Sequence, residues 1–221
     1  MRNLLKLFML ALVMPIAACN AQTDTGSGDF AYRDGVDFQT LPRAVATADP
    51  SRVEMAEVYW YGCIHCYRLE PMLEEFVENE LPEDVNFVRV PASWHPTMDL
   101  HARIYYAGKA LGIAEDIHWE VFKAMNEAKN PLASEGAIFK LIGDLGHDEA
   151  AFERAFNSFG VNSQVTQAKS KTAAYGIRGT PEIIVNGKYR VSTTMTGTQE
   201  KMLDVALALV EREQAMMEAA E

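Results

Sequence analysis

A chain of 221 residues, 48% hydrophobic and 10% aromatic, can bury a sizeable core, which argues against disorder and fits one domain with an insertion as well as two small domains. Its 31 acidic residues against 20 basic ones give a formal net charge of −11, and no Lys/Arg stripe stands out, so the sequence carries no nucleic-acid footprint. The acidic balance speaks for solubility and says little about a partner.

The chain opens like an export signal over residues 1–18: Arg2 and Lys6 supply the positive start, and Leu7 to Ala18 an uncharged apolar stretch too short to serve comfortably as a permanent membrane span. Ile16-Ala17-Ala18-Cys19 resembles the lipobox of bacterial lipoproteins, in which cleavage leaves a lipid-bearing cysteine, here Cys19. Ordinary cleavage after Ala18 or Ala21, leaving a soluble protein, is the alternative. Asn20, rather than Asp, leans towards the outer membrane in the lipoprotein pattern. Residues 19–35 are polar and rich in Thr, Gly, Ser and Asp, and read as a flexible tether.

Val53–Tyr61 (VEMAEVYWY) predicts a strand, with a C-x-x-C directly after it. Leu69, Met72, Leu73, Phe76 and Val77 recur at helical spacing, which predicts a helix from about Cys63 to Leu81, kinked at Pro71. Val85–Val90 is the next strand. Five amphipathic helices follow, around 97–111, 114–128, 134–145, 148–159 and 162–175, punctuated by Gly112, Pro131, Gly146 and Gly160. Strand signals return at Glu182–Val185 and Lys188–Val191, joined by the hairpin dipeptide Asn186-Gly187, before a last helix from about Thr198 to Met216. The expected layout is α/β: a sheet domain of residues 36–95 and 176–216, split by an all-helical insertion over 96–175.

With Cys19 assigned to the export segment, Cys63 and Cys66 are the two cysteines left for the folded part, too few and too close for a structural framework. The pair is there for chemistry. A thiolate attacks disulfides where a thiol does not, and Cys63, at a strand-to-helix junction, faces free backbone N–H groups and the positive end of the helix dipole. Cys66, one turn in, is more buried. Cys63 is therefore the expected exchanging sulfur and Cys66 the resolving one. His65 stands between them, where its imidazole could stabilise the thiolate or could simply be a solvent-exposed helix position.

Glu57 interrupts an apolar strand six residues before Cys63. Either it is buried with a task, exchanging protons with Cys66, or its side chain reaches water at the sheet margin. Gly179-Thr180-Pro181 precedes a strand: Pro181 is either a boundary marker or a cis residue shaping a tight loop that leaves Thr180 backbone groups for an extended substrate. No cofactor or metal is expected. A zinc site would need four ligands, no second C-x-x-C exists, and His95, His101, His118 and His147 are scattered along the insertion. A reductase or isomerase, and a non-catalytic peptide-binding module, are the competing readings.

Glu57, Tyr59-Trp60-Tyr61, Cys63-Ile64-His65-Cys66-Tyr67, Tyr105-Tyr106-Ala107, Ala110-Leu111-Gly112 and Gly176-Ile177-Arg178-Gly179-Thr180-Pro181 run in this order over most of residues 36–215. Together they resemble the DsbA family of thioredoxin-fold proteins. The resemblance implies a thioredoxin fold with a helical insertion and, in the bacterial periplasm, oxidation of unfolded or newly exported cysteine-containing proteins. It also implies re-oxidation by a membrane partner of the DsbB type. By motif, Cys63 is the nucleophile, Cys66 its partner, His65 the thiolate stabiliser, Glu57 the buried acid, and Pro181 the cis-proline beside the site. Ile64 departs from the proline that the best-known members carry between the cysteines, and a lipid on Cys19 would add membrane contact that soluble members lack.

Overall fold

The computed structural model of the protein describes residues 30–220. The expected signal segment and Cys19 lie outside the described residues. Along the chain run β1 (Gln39–Thr40), β2 (Glu54–Tyr59), α1 (Ile64–Asn79), β3 (Asn86–Pro91), α2 (Pro96–Leu111), α3 (Ala114–Asn126) and α4 (Glu135–Asp144). Then follow α5 (Glu149–Phe156), α6 (Phe159–Ala174), β4 (Glu182–Val185), β5 (Tyr189–Ser192), α7 (Thr193–Thr196) and α8 (Gln199–Glu218).

The strands form one sheet in the order β1-β5-β4-β2-β3. β2 and β3 are parallel, joined through α1, while β4 runs antiparallel to β2 and β5 antiparallel to β4. β2 is an interior strand, flanked by β4 and β3, and all six of its residues are buried, so its sequence lacks a clean polar alternation. Both halves of the chain complete this sheet, with the helical segment α2–α6 inserted between them.

The two faces of β2 have different neighbours. Ala56 and Val58 join Val90 and Ile184 under Met98 of α2 and Ala168 of α6. Met55, Glu57 and Tyr59 alternate to the opposite face, where Tyr59 enters a second core with Tyr61, Cys66, Ile104, Ile117, Phe122, Phe152 and Phe156. The insertion thus supplies most of the apolar wall behind the dithiol.

α1 buries Cys66, Leu69, Glu70, Leu73 and Phe76, one stripe at helical spacing, and accommodates Pro71 within its length. Its N-cap is Cys63 itself. α2 begins on Pro96 with the His95 ring capping the Thr97 N–H at 3.2 Å, and stops at Gly112, whose φ of 72° suits glycine. At the β4–β5 turn Asn186 and Gly187 have φ of 49° and 61°, the paired positive values of a two-residue hairpin. A Cβ on Gly187 would lie 1.9 Å from the Val45 carbonyl oxygen, so only glycine fits.

β1 and α7 were not expected from the sequence. β1 is two residues, too short to carry a period, and is held by pairing Gln39 and Thr40 with Arg190 and Tyr189. α7 is a single turn. The main folded unit begins at Tyr32, so the end of the segment read as a tether is structured. The Asp37 carboxylate there accepts from the Arg33 N–H at 3.0 Å, and that of Asp34 from the Thr40 N–H at 2.9 Å.

Candidate active site

Cys63 sits where β2 has ended and α1 begins, with extended backbone (φ −93°, ψ 114°). This geometry aims its sulfur at the open N–H groups of the first helical turn, and Cys63 Sγ accepts from the Cys66 N–H at 3.4 Å. Both cysteines are free thiols, Cys63 part-exposed and Cys66 fully buried. On the other side Cys63 Sγ donates to the Thr180 carbonyl at 3.2 Å, so the loop before β4 closes on the dithiol. The Thr180–Pro181 peptide is cis, the second of the two readings of that proline.

The two thiols are driven apart in acidity. Cys63 is lowered to about 5, first by the hydrogen bond from the Cys66 thiol, which outweighs burial, then by the Thr180 side chain and the backbone N–H groups of Cys66 and His65. Cys66 is pushed well above the ordinary thiol range by burial, by that same bond and by the charges of Cys63 and Glu57. His65 contributes through its backbone N–H, and its side chain is exposed. Gln199, at the start of α8, donates to the His65 carbonyl at 2.7 Å and ties the last helix to the first turn of α1.

Glu57 is fully buried, which decides between its two readings: the side chain does not reach water. Its neighbour in the parallel β2–β3 register is Arg89, whose Nε lies 3.6 Å from Glu57 Oε2. The guanidinium also reaches buried Glu70 at 2.5 Å and exposed Glu115 at 3.3 Å. Burial, and then the Glu70 charge, hold the Glu57 carboxyl well above the usual carboxylate range. For Glu70 burial acts upward, but bonds and charges from His118 and Arg89 prevail and leave it below that range.

Sequence reading did not single out Glu70, Arg89 or His118 as parts of this site. The available signal was a carboxylate on the apolar stripe of α1 and one arginine within the strand VNFVRV.

The chain just before the dithiol is gripped by the insertion. Trp60 Nε1–H donates to His101 Nδ1 at 2.9 Å, which leaves the His101 proton on Nε2, facing the carbonyls of Pro131 and Leu132 at 3.2 Å. Asn126 Nδ2 donates to the Tyr61 carbonyl at 2.8 Å. Beyond the dithiol, Tyr67 stacks on Trp119, with centroids 4.9 Å apart and planes 9° apart.

The pinned Trp60 ring leaves no room beside Gly62, where a Cβ would stand 2.4 Å from the indole. Gly62→Ala is therefore expected to cost about 1–3 kcal/mol by overpacking. Urea unfolding measures it, and a loss below ~0.5 kcal/mol would mean that the indole simply moves aside.

The family model described as DSBA-like thioredoxin domain matches residues 56–208. The chain belongs to this family. Among its relatives are the thiol:disulfide interchange protein DsbA of Pseudomonas aeruginosa, 34% identical over 97% of this chain and 98% of that protein, and that of Azotobacter vinelandii, 36% identical over 82% and 84%. The crystal structure of Pseudomonas aeruginosa DsbA superposes with a TM-score of 0.80 at 34% identity, covering 84% of this chain and 96% of that one. Xylella fastidiosa DsbA gives 0.77 at 27% identity, covering 83% and 98%. The protein is thus a DsbA-type thiol:disulfide oxidoreductase with the thioredoxin-like fold and inserted helices that the motifs implied.

Proposed function

We propose that the Cys63–Cys66 disulfide is donated to cysteine-containing proteins exported to the bacterial periplasm. The observation that carries this direction is the asymmetry of the pair. The stabilised Cys63 anion favours the reduced state, and a pair that is stable when reduced is a strong oxidant.

A substrate thiolate attacks Cys63 Sγ; the Cys63–Cys66 bond breaks as the mixed disulfide forms. Cys66 departs as a thiolate in a buried site and takes the proton of Glu57. A second substrate thiolate then attacks the substrate sulfur of the mixed disulfide and expels Cys63, whose low proton affinity makes it a good leaving group. The substrate loses two electrons, and the enzyme holds them as the Cys63 thiolate and Cys66 thiol. The Thr180-Pro181 loop receives the substrate backbone, and His65 stabilises the Cys63 thiolate, supported by its backbone N–H. A membrane partner of the DsbB type takes the electrons back. A lipid on Cys19 would tether the exported enzyme to a membrane, and growth with labelled fatty acid would mark the protein unless Cys19 is replaced.

Trapping with Cys66→Ala tests the reading, because Cys63 then keeps its substrate. Mixed disulfides with exported proteins are expected. A reduction potential near thioredoxin's value of about −270 mV would overturn the donor assignment in favour of a reductase.

A further inference from the structure

The loop that closes on the dithiol is itself thinly held. It runs over residues 176–181, from the end of α6 to β4, and its Thr180 carbonyl accepts from Cys63 Sγ at 3.2 Å. Ile177 anchors the start: its N–H donates to the Thr172 carbonyl at 3.1 Å, and its side chain is buried with Tyr175 and Ile184. From Arg178 to Thr180 no backbone N–H meets a backbone carbonyl among the described residues. A stretch of chain without main-chain bonds keeps one shape only where side chains hold it.

One side chain reaches both ends of this loop. Arg190 on β5 donates from Nη1 to the Gly176 carbonyl and from Nη2 to Gln39 Oε1 of β1, each at 2.6 Å. Its Nε stands 3.4 Å from Oε2 of Glu182, the residue after Pro181. The strand register accounts for this reach. Arg190 lies opposite Gln39 on β1 and opposite Ile184 on β4, so Glu182 is its diagonal neighbour on the same face of the sheet.

Glu182 is buried, and burial raises its carboxyl to about 7 although the Arg190 charge and the Arg178 backbone N–H pull the other way. Glu182 Oε2 and Arg190 Nε have no hydrogen-bond partner among the described residues, so charge alone matches them. The thiol exchange uses neither residue. A buried carboxylate directly behind a substrate loop is costly unless it has a task there.

We propose that Arg190 and Glu182 are positioning residues for the substrate, a brace across β4 and β5 that fixes both ends of the 176–181 loop and so holds the Thr180 backbone where an extended peptide pairs with it. Neither side chain touches the reacting sulfurs. The brace governs how well a peptide is held, while the attack on Cys63 Sγ follows the same chemistry with or without it. The proposal rests on the reading that this loop receives the substrate backbone, and it adds β5 to the elements that shape the loop.

Arg190→Met keeps an apolar stem but offers no donor to Gly176 and no charge to Glu182. The oxidised full-length protein is reduced at pH 8, where Glu182 is ionised, by a cysteine-containing peptide and in parallel by 2-mercaptoethanol, which takes no backbone pairing from the loop. The ratio of the peptide rate to the 2-mercaptoethanol rate is expected to fall about tenfold in the variant. An unchanged ratio overturns the proposal, whether both rates hold or both fall. Glu182→Gln keeps the shape and an acceptor for the Arg178 N–H, and should lower the ratio about threefold. Placed in Arg190→Met it should add less than about twofold, because the two residues act as one brace; losses that multiply independently overturn the pairing. If Arg190→Met does not fold, Glu182→Gln decides. NMR order parameters give a readout free of thiol exchange. Those of Arg178 to Thr180 are expected to drop from about 0.85 towards ~0.6 in Arg190→Met, and values equal to wild type overturn the brace. If the wild-type disulfide oxidises no peptide, the donor reading fails, while the order parameters still judge the brace.

Discussion

Reduced protein treated with iodoacetamide is expected to lose its Cys63 thiol at a rate that is level from about pH 8 to pH 6, half-maximal near pH 5, and falling about tenfold per unit below that. The cause is the set of donors around the sulfur: the Cys66 thiol first, then the Thr180 side chain and two backbone N–H groups, which lower Cys63 to about 5. An ordinary thiol would already decline below about pH 8.5, so near pH 5 the two cases differ by about three orders of magnitude. Cys66 stays silent because it is buried and its thiol is shifted the other way. A rate still climbing between pH 7 and 9 would sink the expectation. The same shift acts on stability. A group whose ionisation is depressed on folding stabilises fully above its unfolded value and loses that contribution as pH falls through its folded one. Reduced protein should therefore gain urea resistance over Cys63→Ser as pH rises from about 5 towards 8.5, and not below 5.

Arg89→Met is expected to remove about 3–5 kcal/mol of stability, the usual consequence of deleting one member of a buried ionic group. The guanidinium lies against two fully buried carboxylates, and a thioether offers neither of them a donor. Glu70 keeps His118 at 3.1 Å, whereas Glu57 keeps no charged partner within salt-bridge distance. The sign of the pH dependence follows. Glu70 is held below the ordinary carboxylate range, so its paired state stabilises the fold above that range and ceases to do so as pH falls. Without Arg89 the ionised carboxylates become a liability that acid relieves by protonation. The loss measured by urea unfolding should therefore be larger at pH 8 than at pH 5. Adding Glu57→Gln to Arg89→Met should recover part of it, and a deficit indifferent to pH would mean that packing, not charge, is what Arg89 provides.

The dithiol was legible because two cysteines three residues apart, at the end of an apolar run, state their own geometry. Most helices of the insertion were legible because their periods are long, and Ser134 and Asp148 cap α4 and α5 near the expected starts; Ser158, which caps α6, was instead read as part of the preceding helix, so α6 starts earlier than expected. Glu57 was visible as an anomaly, but its burial was not, since one sequence cannot tell a central strand from an edge. That Arg89 is its neighbour depends on the β2–β3 register, set by how far α1 carries the chain before β3 begins. His118 and Glu70 meet through packing of α3 on α1 although they stand 48 residues apart in sequence, and no local pattern encodes that approach.

The grip of the insertion on the segment before Cys63 bears on modularity. Asn126 holds the Tyr61 carbonyl, His101 holds Trp60, and Cys66 is walled by side chains of α2, α3, α5 and their neighbours. A thioredoxin-like half trimmed of these helices would keep its cysteines but expose the back of the reactive turn. Transplanting this activity to another scaffold would accordingly mean moving the helical block along with the C-x-x-C, as one inseparable part.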